Sequence, residues 1–343
     1  MKDYHELSFA GRLHRLRELA VHALSYYALN NPEIVYHGWY TNLLYRVTTA
    51  SGERFMLRLA APGWRTFEDL RSEALWLEAL GRDTTIPVPR IIPARSGEFV
   101  LSLSIPGIPK IWNTSLMSWV PGRQLRHYLT VRNLEKMGAL FAELHHHGGV
   151  WLPPEGFTSR RFEHWLSRGE VNLITNGKQA SAGASQLGNA GSIPSRWLDL
   201  LERMHQDVET AYAAMDRSDL RVIHCDLWHD NIKVHRGILH PLDFEDTVWG
   251  FRAHDIAMAM LDLLEATNEA QYSKLFAAFR HGYQAHLAWP AAPIEPFQIG
   301  RLLWMINWVA CHEPQGLMST IERHVPVFEY YEHTGWVTRP PAG

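Results

Sequence analysis

The chain has 343 residues, enough for about two domains of roughly 150 residues, and its 46% hydrophobic and 20% charged composition excludes a disordered or fibrous protein. A formal net charge of −3 excludes the strong basic excess of most nucleic-acid binders, so no nucleic-acid partner is expected. Cys225 and Cys311 are too few for a disulfide framework and lack the spacing of a zinc site, which fits a reducing, cytoplasmic setting. No apolar run is long enough for a membrane helix or a secretory leader, so no membrane partner is expected either.

Charge and predicted structure both change along the chain. Residues 1–120 carry a net charge of +2 and mix strand-like runs with one helix; residues 121–343 carry −5 and read as mostly helical. Leu43 to Thr48 and Arg54 to Leu59 are predicted strands around the turn Ala50-Ser51-Gly52-Glu53. Thr66 starts a helix with Asp69 in the capping-box position; Phe67, Leu70, Ala74 and Leu77 share one face, and Gly81 is the expected stop. Pro87, Pro89 and Pro93 interrupt regular structure before strand-like runs at Phe99 to Ser104 and Leu116 to Val120. Pro121-Gly122 is the expected hinge between two domains, 1–120 and 121–343.

Beyond the hinge, Thr130 caps a helix with Leu134, Met137, Phe141 and Leu144 on its apolar face, expected to end at Gly148-Gly149. His145, His146 and His147 fall in its last turn. Adjacent helix positions point about 100° apart, so a helix end favouring positive charge is a better reading than a metal site. Residues 176–192 are rich in Gly, Ala, Ser, Asn and Gln, a loop that is either an inert insertion or a lid. Trp228, Trp304 and Trp308 are expected in core packing, with a flat substrate wall as the alternative.

The chemistry concentrates in residues 222–246. They hold His224-x-Asp226-Leu227-x-x-x-Asn231, a short β-like run at Ile232 to Val234, a turn at Gly237, a second run at Ile238 to Leu242, and then Asp243-Phe244. Catalytic loop, hairpin and metal-binding aspartate follow in this order in the kinase motif set. Phosphoryl transfer needs positioning and charge neutralisation more than covalent help. Asp226 is the carboxylate to face an acceptor hydroxyl, while Asn231 and Asp243 offer the hard oxygen ligands that suit Mg²⁺ beside nucleotide phosphates.

The same stretch resembles the small-molecule kinases of the aminoglycoside phosphotransferase and choline kinase group. The resemblance implies an α+β, two-lobed protein kinase-like fold: an N-lobe of antiparallel sheet plus one helix that binds nucleotide, and a mostly helical C-lobe with the catalytic loop and acceptor site. His224 is similar to the family's loop-bracing histidine and Asp255, in His254-Asp255-Ile256-Ala257, to its helix aspartate supporting the loop. Ser118-Trp119-Val120 resembles the hinge whose backbone holds adenine, and Leu144-His145 is a family trait with a structural role. The implied reaction moves the γ-phosphoryl of ATP, with Mg²⁺, to a hydroxyl of a small aminoglycoside-, amino alcohol- or sugar-like acceptor.

The chain departs from that pattern in several places. No Gly-x-Gly-x-x-Gly is present, and the nearest phosphate-covering loop is His37-Gly38-Trp39-Tyr40-Thr41-Asn42, so Gly38 and Asn42 are its nucleotide-side candidates. Arg58 stands where the usual strand lysine would be, able to grip phosphate as a fork, with Glu73 as its expected ion-pair partner. Glu245 replaces the third-position glycine and Asp246 follows, each with at most a supporting role at the metal. Two other readings remain: a protein serine/threonine kinase resembling the bacterial stress-response kinase A family, and a non-catalytic nucleotide-binding pseudokinase.

Overall fold

The computed structural model describes residues 3–158, 160–166 and 193–338; the loop expected at residues 176–192 lies outside them. The chain is mixed α+β and divides into two compact units. One comprises residues 1–123, 152–158 and 233–247; the other comprises 124–151, 159–232 and 248–343. The short stretch 233–247 thus groups with the N-terminal residues although it follows the His224–Asn231 loop in sequence.

The first unit is built on an antiparallel sheet in the order β1-β2-β3-β6-β4, with β5 also on β6. Its strands are β1 (Glu33–Trp39), β2 (Asn42–Thr48), β3 (Arg54–Ala60), β4 (Ile91–Ile92), β5 (Val100–Leu103) and β6 (Trp112–Ser118). Leu43, Tyr45 and Val47 alternate inward from β2, and Leu57, Leu59 and Leu116 join them. Helix α1 (Phe9–Leu24) completes this core with Leu16, Leu19, Ala20 and Ala23, positions three and four apart that form one stripe. Helix α2 (Phe67–Asp83) begins with the expected reciprocal box: the Asp69 N–H donates to Thr66 Oγ1, and the Thr66 N–H to Asp69 Oδ2, both at 3.1 Å.

Two sequence expectations shift here. Gly81 does not stop α2, which runs to Asp83 and closes where the Thr84 N–H and hydroxyl both donate to the Leu80 carbonyl. The run expected at Leu116 to Val120 is the tail of a strand that starts at Trp112. Its first half, Asn113-Thr114-Ser115, is polar yet largely buried, so the hydrophobic pattern does not announce it.

The second unit is mainly helical: α3 (Val131–Val150), α4 (Ser195–Ala213), α5 (Arg252–Glu265), α6 (Glu269–Gln284), α7 (Glu295–His312) and α8 (Leu317–Thr334). A two-stranded ribbon of β8 (Arg221–Ile223) and β11 (Val248–Gly250) crosses it. Between them in sequence lie the hairpin strands β9 (Ile232–His235) and β10 (Ile238–Pro241), while the short β7 (Arg123–Gln124) precedes α3.

The glycines expected to end α3 lie inside it. A Cβ on Gly148 would sit 2.0 Å from the Val222 carbonyl oxygen, so glycine here lets the helix lie directly on β8. Gly138 of α3 and Gly282 of α6 play the same part between those two helices: each would place a Cβ 1.9 Å from a backbone oxygen of the other helix. No helix among the described residues is long and apolar enough to cross a membrane.

Candidate active site

The loop from His224 to Asn231 lies in the second unit. β8 delivers His224, which is fully buried and whose Nδ1 accepts the Asp226 N–H at 3.3 Å. Cys225 takes a left-handed backbone with φ +68°, uncommon for a residue with a Cβ. Its N–H donates to Asp255 Oδ1 at 2.7 Å, so α5 holds the loop at its sharpest point. Past this bend, Asn231 turns back. Its amide nitrogen donates to the Asp226 carbonyl (2.9 Å) and to Asp226 Oδ2 (3.1 Å), leaving the amide oxygen as an acceptor.

Behind the loop, Asp255 Oδ2 meets His145 Nε2 at 3.0 Å, and His145 Nδ1 meets the Tyr283 hydroxyl at 2.9 Å. Burial pushes the His145 imidazole below its ordinary range. For Asp255, burial opposes the charge, but the bond from His145 wins and holds its carboxyl below the usual range. A neutral His145 that donates from Nε2 to Asp255 and accepts from Tyr283 satisfies all three groups. This replaces the helix-end reading of His145, which is a buried link between α3, α5 and α6.

Asp230 and Arg301 were missed by the sequence reading. Asp230 pairs with Arg126, and its carbonyl accepts from Gln124 at 3.4 Å, tying down the end of the loop. Arg301, on α7, brings its Nη2 to 3.7 Å from Asp226 Oδ1 and lies over the Trp304 ring at 4.5 Å. Asp230 falls at an unspecified position inside the His224–Asn231 motif, and the neighbourhood of Arg301 carries no motif. Trp304 and Trp308 are both half-buried; Trp308 stacks on His312.

Asp243, Arg58 and the expected nucleotide-side residues lie in the first unit. Asp243 is exposed, in left-handed backbone with φ +62°, directly after β10. The next side chain, Phe244, is fully buried and packs edge-on against Trp76 of α2 at 5.5 Å, which anchors the turn. Arg58 on β3 pairs with Glu73 on α2, as expected from sequence, and also reaches Glu245 at 3.5 Å and the Ser115 hydroxyl at 3.3 Å. Burial works against its charge, but the two carboxylates hold the guanidinium above its ordinary pKa.

The fork expected to grip phosphate is therefore turned toward protein acceptors and is 3% exposed. Glu245 also accepts from the Asn42 amide and from Trp64 Nε1 at 2.9 Å, while Asp246 pairs with Arg65. Both acids are buried and occupied by protein donors.

The loop expected over phosphate is the tip of the β1–β2 hairpin. Gly38 lies in β1 just past a register shift, and a Cβ there would meet the Tyr40 ring at 2.8 Å. Of the hinge residues, Ser118 donates its N–H to Arg90, Trp119 donates to Arg54, and the Val120 carbonyl accepts from Lys233 Nζ at 3.1 Å. Lys233 also lies 4.9 Å from the Trp119 ring centre, a neighbour of the hinge that its place inside β9 does not advertise. At Gly122 the backbone passes so close that a Cβ would sit 2.4 Å from the Val234 carbonyl, with φ +103°; only glycine fits.

The fold is that of the protein kinase-like phosphotransferases. Solved structures sharing it include a microcompartment-associated aminopropanol kinase, at 21% identity and a TM-score of 0.74, over 94% of this chain and 100% of that one. They also include the amicoumacin kinase hAmiN in complex with AMP-PNP, Ca²⁺ and Ami (16%, TM-score 0.73, 94% and 95% of the two chains). A choline/ethanolamine kinase family protein from Mesorhizobium loti matches at 17% and 0.60, over 93% and 95%. A search of curated proteins by sequence found no match. The model of the phosphotransferase enzyme family matches residues 34–292, three-quarters of the chain, and the chain belongs to that family.

Proposed function

We propose that this phosphotransferase moves the γ-phosphoryl of ATP to a hydroxyl of a small molecule. The observation that carries the reading is the loop from His224 to Asn231, where a part-exposed carboxylate and a side-chain amide meet within 3.1 Å on a bend held by Asp255. Asp226 orients the acceptor hydroxyl and accepts its proton. Asn231, with its amide oxygen left over, and the exposed Asp243 supply hard oxygen donors of the kind Mg²⁺ takes alongside phosphate oxygens, so the residues present fit that ion. Bound there, the ion would neutralise charge on the phosphates.

In this reading His224 braces the loop and Asp255 supports it. Gly38 and Asn42 belong to the phosphate side, and Ser118, Trp119 and Val120 to the adenine side. Arg58, positioned by Glu73, reaches phosphate only by giving up Glu245, the longer of its two ion pairs. Residues 1–120 are the nucleotide-binding part and 121–343 the catalytic and acceptor part. The named acceptors of the similar structures, aminopropanol and amicoumacin, support an amine-bearing alcohol as the acceptor class, and a cysteine content too low for a disulfide framework supports a cytoplasmic setting.

Phosphate transfer from labelled ATP, with and without Mg²⁺, against a panel of amino alcohols, sugars and aminoglycosides tests the proposal. Asp226→Ala and Asp243→Ala are each expected to lose at least 100-fold in turnover, about 2.7 kcal/mol of transition-state stabilisation. Turnover unchanged in both variants overturns the mechanism. Label entering serine or threonine of proteins, and no metabolite, replaces it with the protein-kinase reading.

A further inference from the structure

Arg301 differs from three other arginines of the second unit in having unspent donors. The Arg126 guanidinium is committed to Asp230, and Arg221 and Arg252 are committed to Asp219. Arg301 makes no hydrogen bond among the described residues. Its ion-pair partner, Asp226, is at 3.7 Å, beyond hydrogen-bond range, and its side chain keeps a quarter of its surface exposed. The Trp304 ring covers the guanidinium from one side, 4.5 Å from ring centre to guanidinium carbon. The result is a planar fork of five N–H groups beside the catalytic carboxylate, the shape that matches a carboxylate ligand. Arg301 and Trp304 line a crevice with Cys225 of the catalytic loop and Met258 of α5.

A complementary group stands on α5. Asp255, Met258 and Asp262 are three and then four residues apart, so they lie along one face, with Asp262 about 10 Å along the axis from Asp255. Asp262 lies within electrostatic reach of Arg301, and its carboxylate accepts no hydrogen bond among the described residues. Burial, opposed by Arg301, pushes its carboxyl up to about 6. Arg301 and Asp262 thus interact electrostatically within the same unit as Asp226.

Resting on the phosphotransfer reading above, we infer that the acceptor is a hydroxy amino acid or a close zwitterionic relative: Arg301 receives its carboxylate, Asp262 receives its ammonium, and Asp226 faces its hydroxyl. The spans agree. In a β-hydroxy amino acid the hydroxyl oxygen and carboxyl carbon are three bonds apart, on the order of 3 Å, and the two receiving groups on the protein are 3.7 Å apart. Arg301 is a specificity-determining residue of the acceptor site. A simple amino alcohol satisfies Asp262 alone and leaves the fork unpaired.

Matched acceptors that differ only by the carboxylate test this: serine against ethanolamine, and threonine against 1-amino-2-propanol. Wild-type protein is expected to favour the amino acid of each pair by at least tenfold in kcat/KM. Arg301→Met is expected to lose at least tenfold more on the amino acids than on the amino alcohols, mainly through KM, with Arg301→Lys recovering part of the loss. Thermal unfolding confirms that each variant is folded. Equal loss on both members of a pair, carried by kcat, overturns the inference and makes Arg301 a brace for Asp226; a wild-type preference for the amino alcohols overturns it directly. Calorimetry of each acceptor with a non-hydrolysable ATP analogue separates the two proposals. Amino acid binding lost in Arg301→Met, without turnover by wild type, sinks phosphotransfer and upholds the zwitterion site; no binding of either amino acid sinks the site.

Discussion

Arg58 shows how far single residues could be read from sequence. Its partner Glu73 was legible because strand and helix stand 15 residues apart in a familiar order. Glu245 was not, because its contact spans 187 residues and the motif leads one to expect glycine there. Ser115 was hidden for a related reason: a polar residue in a central strand looks like a break in the pattern until the guanidinium it faces is seen. Removing one partner of a buried pair leaves an uncompensated charge, so Glu73→Ala is expected to cost about 3 kcal/mol in urea unfolding, even with Glu245 still in place. His324 offers a second residue-level test. It is buried on α8, its Nε2 has no hydrogen-bond partner among the described residues, and burial, aided by Arg323, pushes its pKa below the ordinary 6.5. The unfolded chain therefore takes up the proton first as pH falls. Stability is complete above about pH 6.5 and declines below it, toward the lower folded value. The drop in urea midpoint between pH 7.5 and 5.5 should be smaller in His324→Leu than in wild type.

At the scale of elements, the best-read pieces were those with local signals. The α2 start was legible because its cap uses residues three apart, and Thr66→Ala should cost about 1 kcal/mol of stability. The β9–β10 hairpin was legible from alternating runs around Gly237. Helix α1 went unread although Leu16, Leu19, Ala20 and Ala23 form a clean stripe, because interleaved His, Arg and Glu lower its mean hydropathy. The end of α3 was misread for a different reason. Glycine usually stops a helix through backbone freedom, but here it serves close approach, which only the tertiary neighbour reveals. Gly138→Ala or Gly282→Ala forces a methyl into a carbonyl of the partner helix, and each is expected to destabilise by about 2–3 kcal/mol, read as a lower thermal midpoint. Gly81→Ala, with open space around it, should instead stabilise α2 by somewhat under 1 kcal/mol.

For the whole molecule, the fold class was legible because a catalytic loop, a hairpin and a metal-type aspartate in fixed order are characteristic of one architecture. The grouping of residues 233–247 with the N-terminal sheet was not legible, since sequence order suggests the opposite. Ligand linkage tests the molecule as a unit. Mg²⁺ with an ATP analogue at about 100 times its dissociation constant should stabilise the folded chain by about 2.7 kcal/mol. That corresponds to a rise of a few degrees in the thermal midpoint, and EDTA or Asp243→Ala should remove most of it. The Asp255 carboxylate, shared between a backbone amide of the loop and an imidazole of a neighbouring helix, has a consequence for anyone re-engineering this chain. A graft of the loop alone into a related scaffold would arrive without its anchor, and a mutation of the helix alone would misplace the nucleophile's escort. Mutant libraries aimed at new acceptors should therefore vary Arg301, Trp304 and Asp262 while treating His145, Cys225, Asp255 and Tyr283 as one inseparable block.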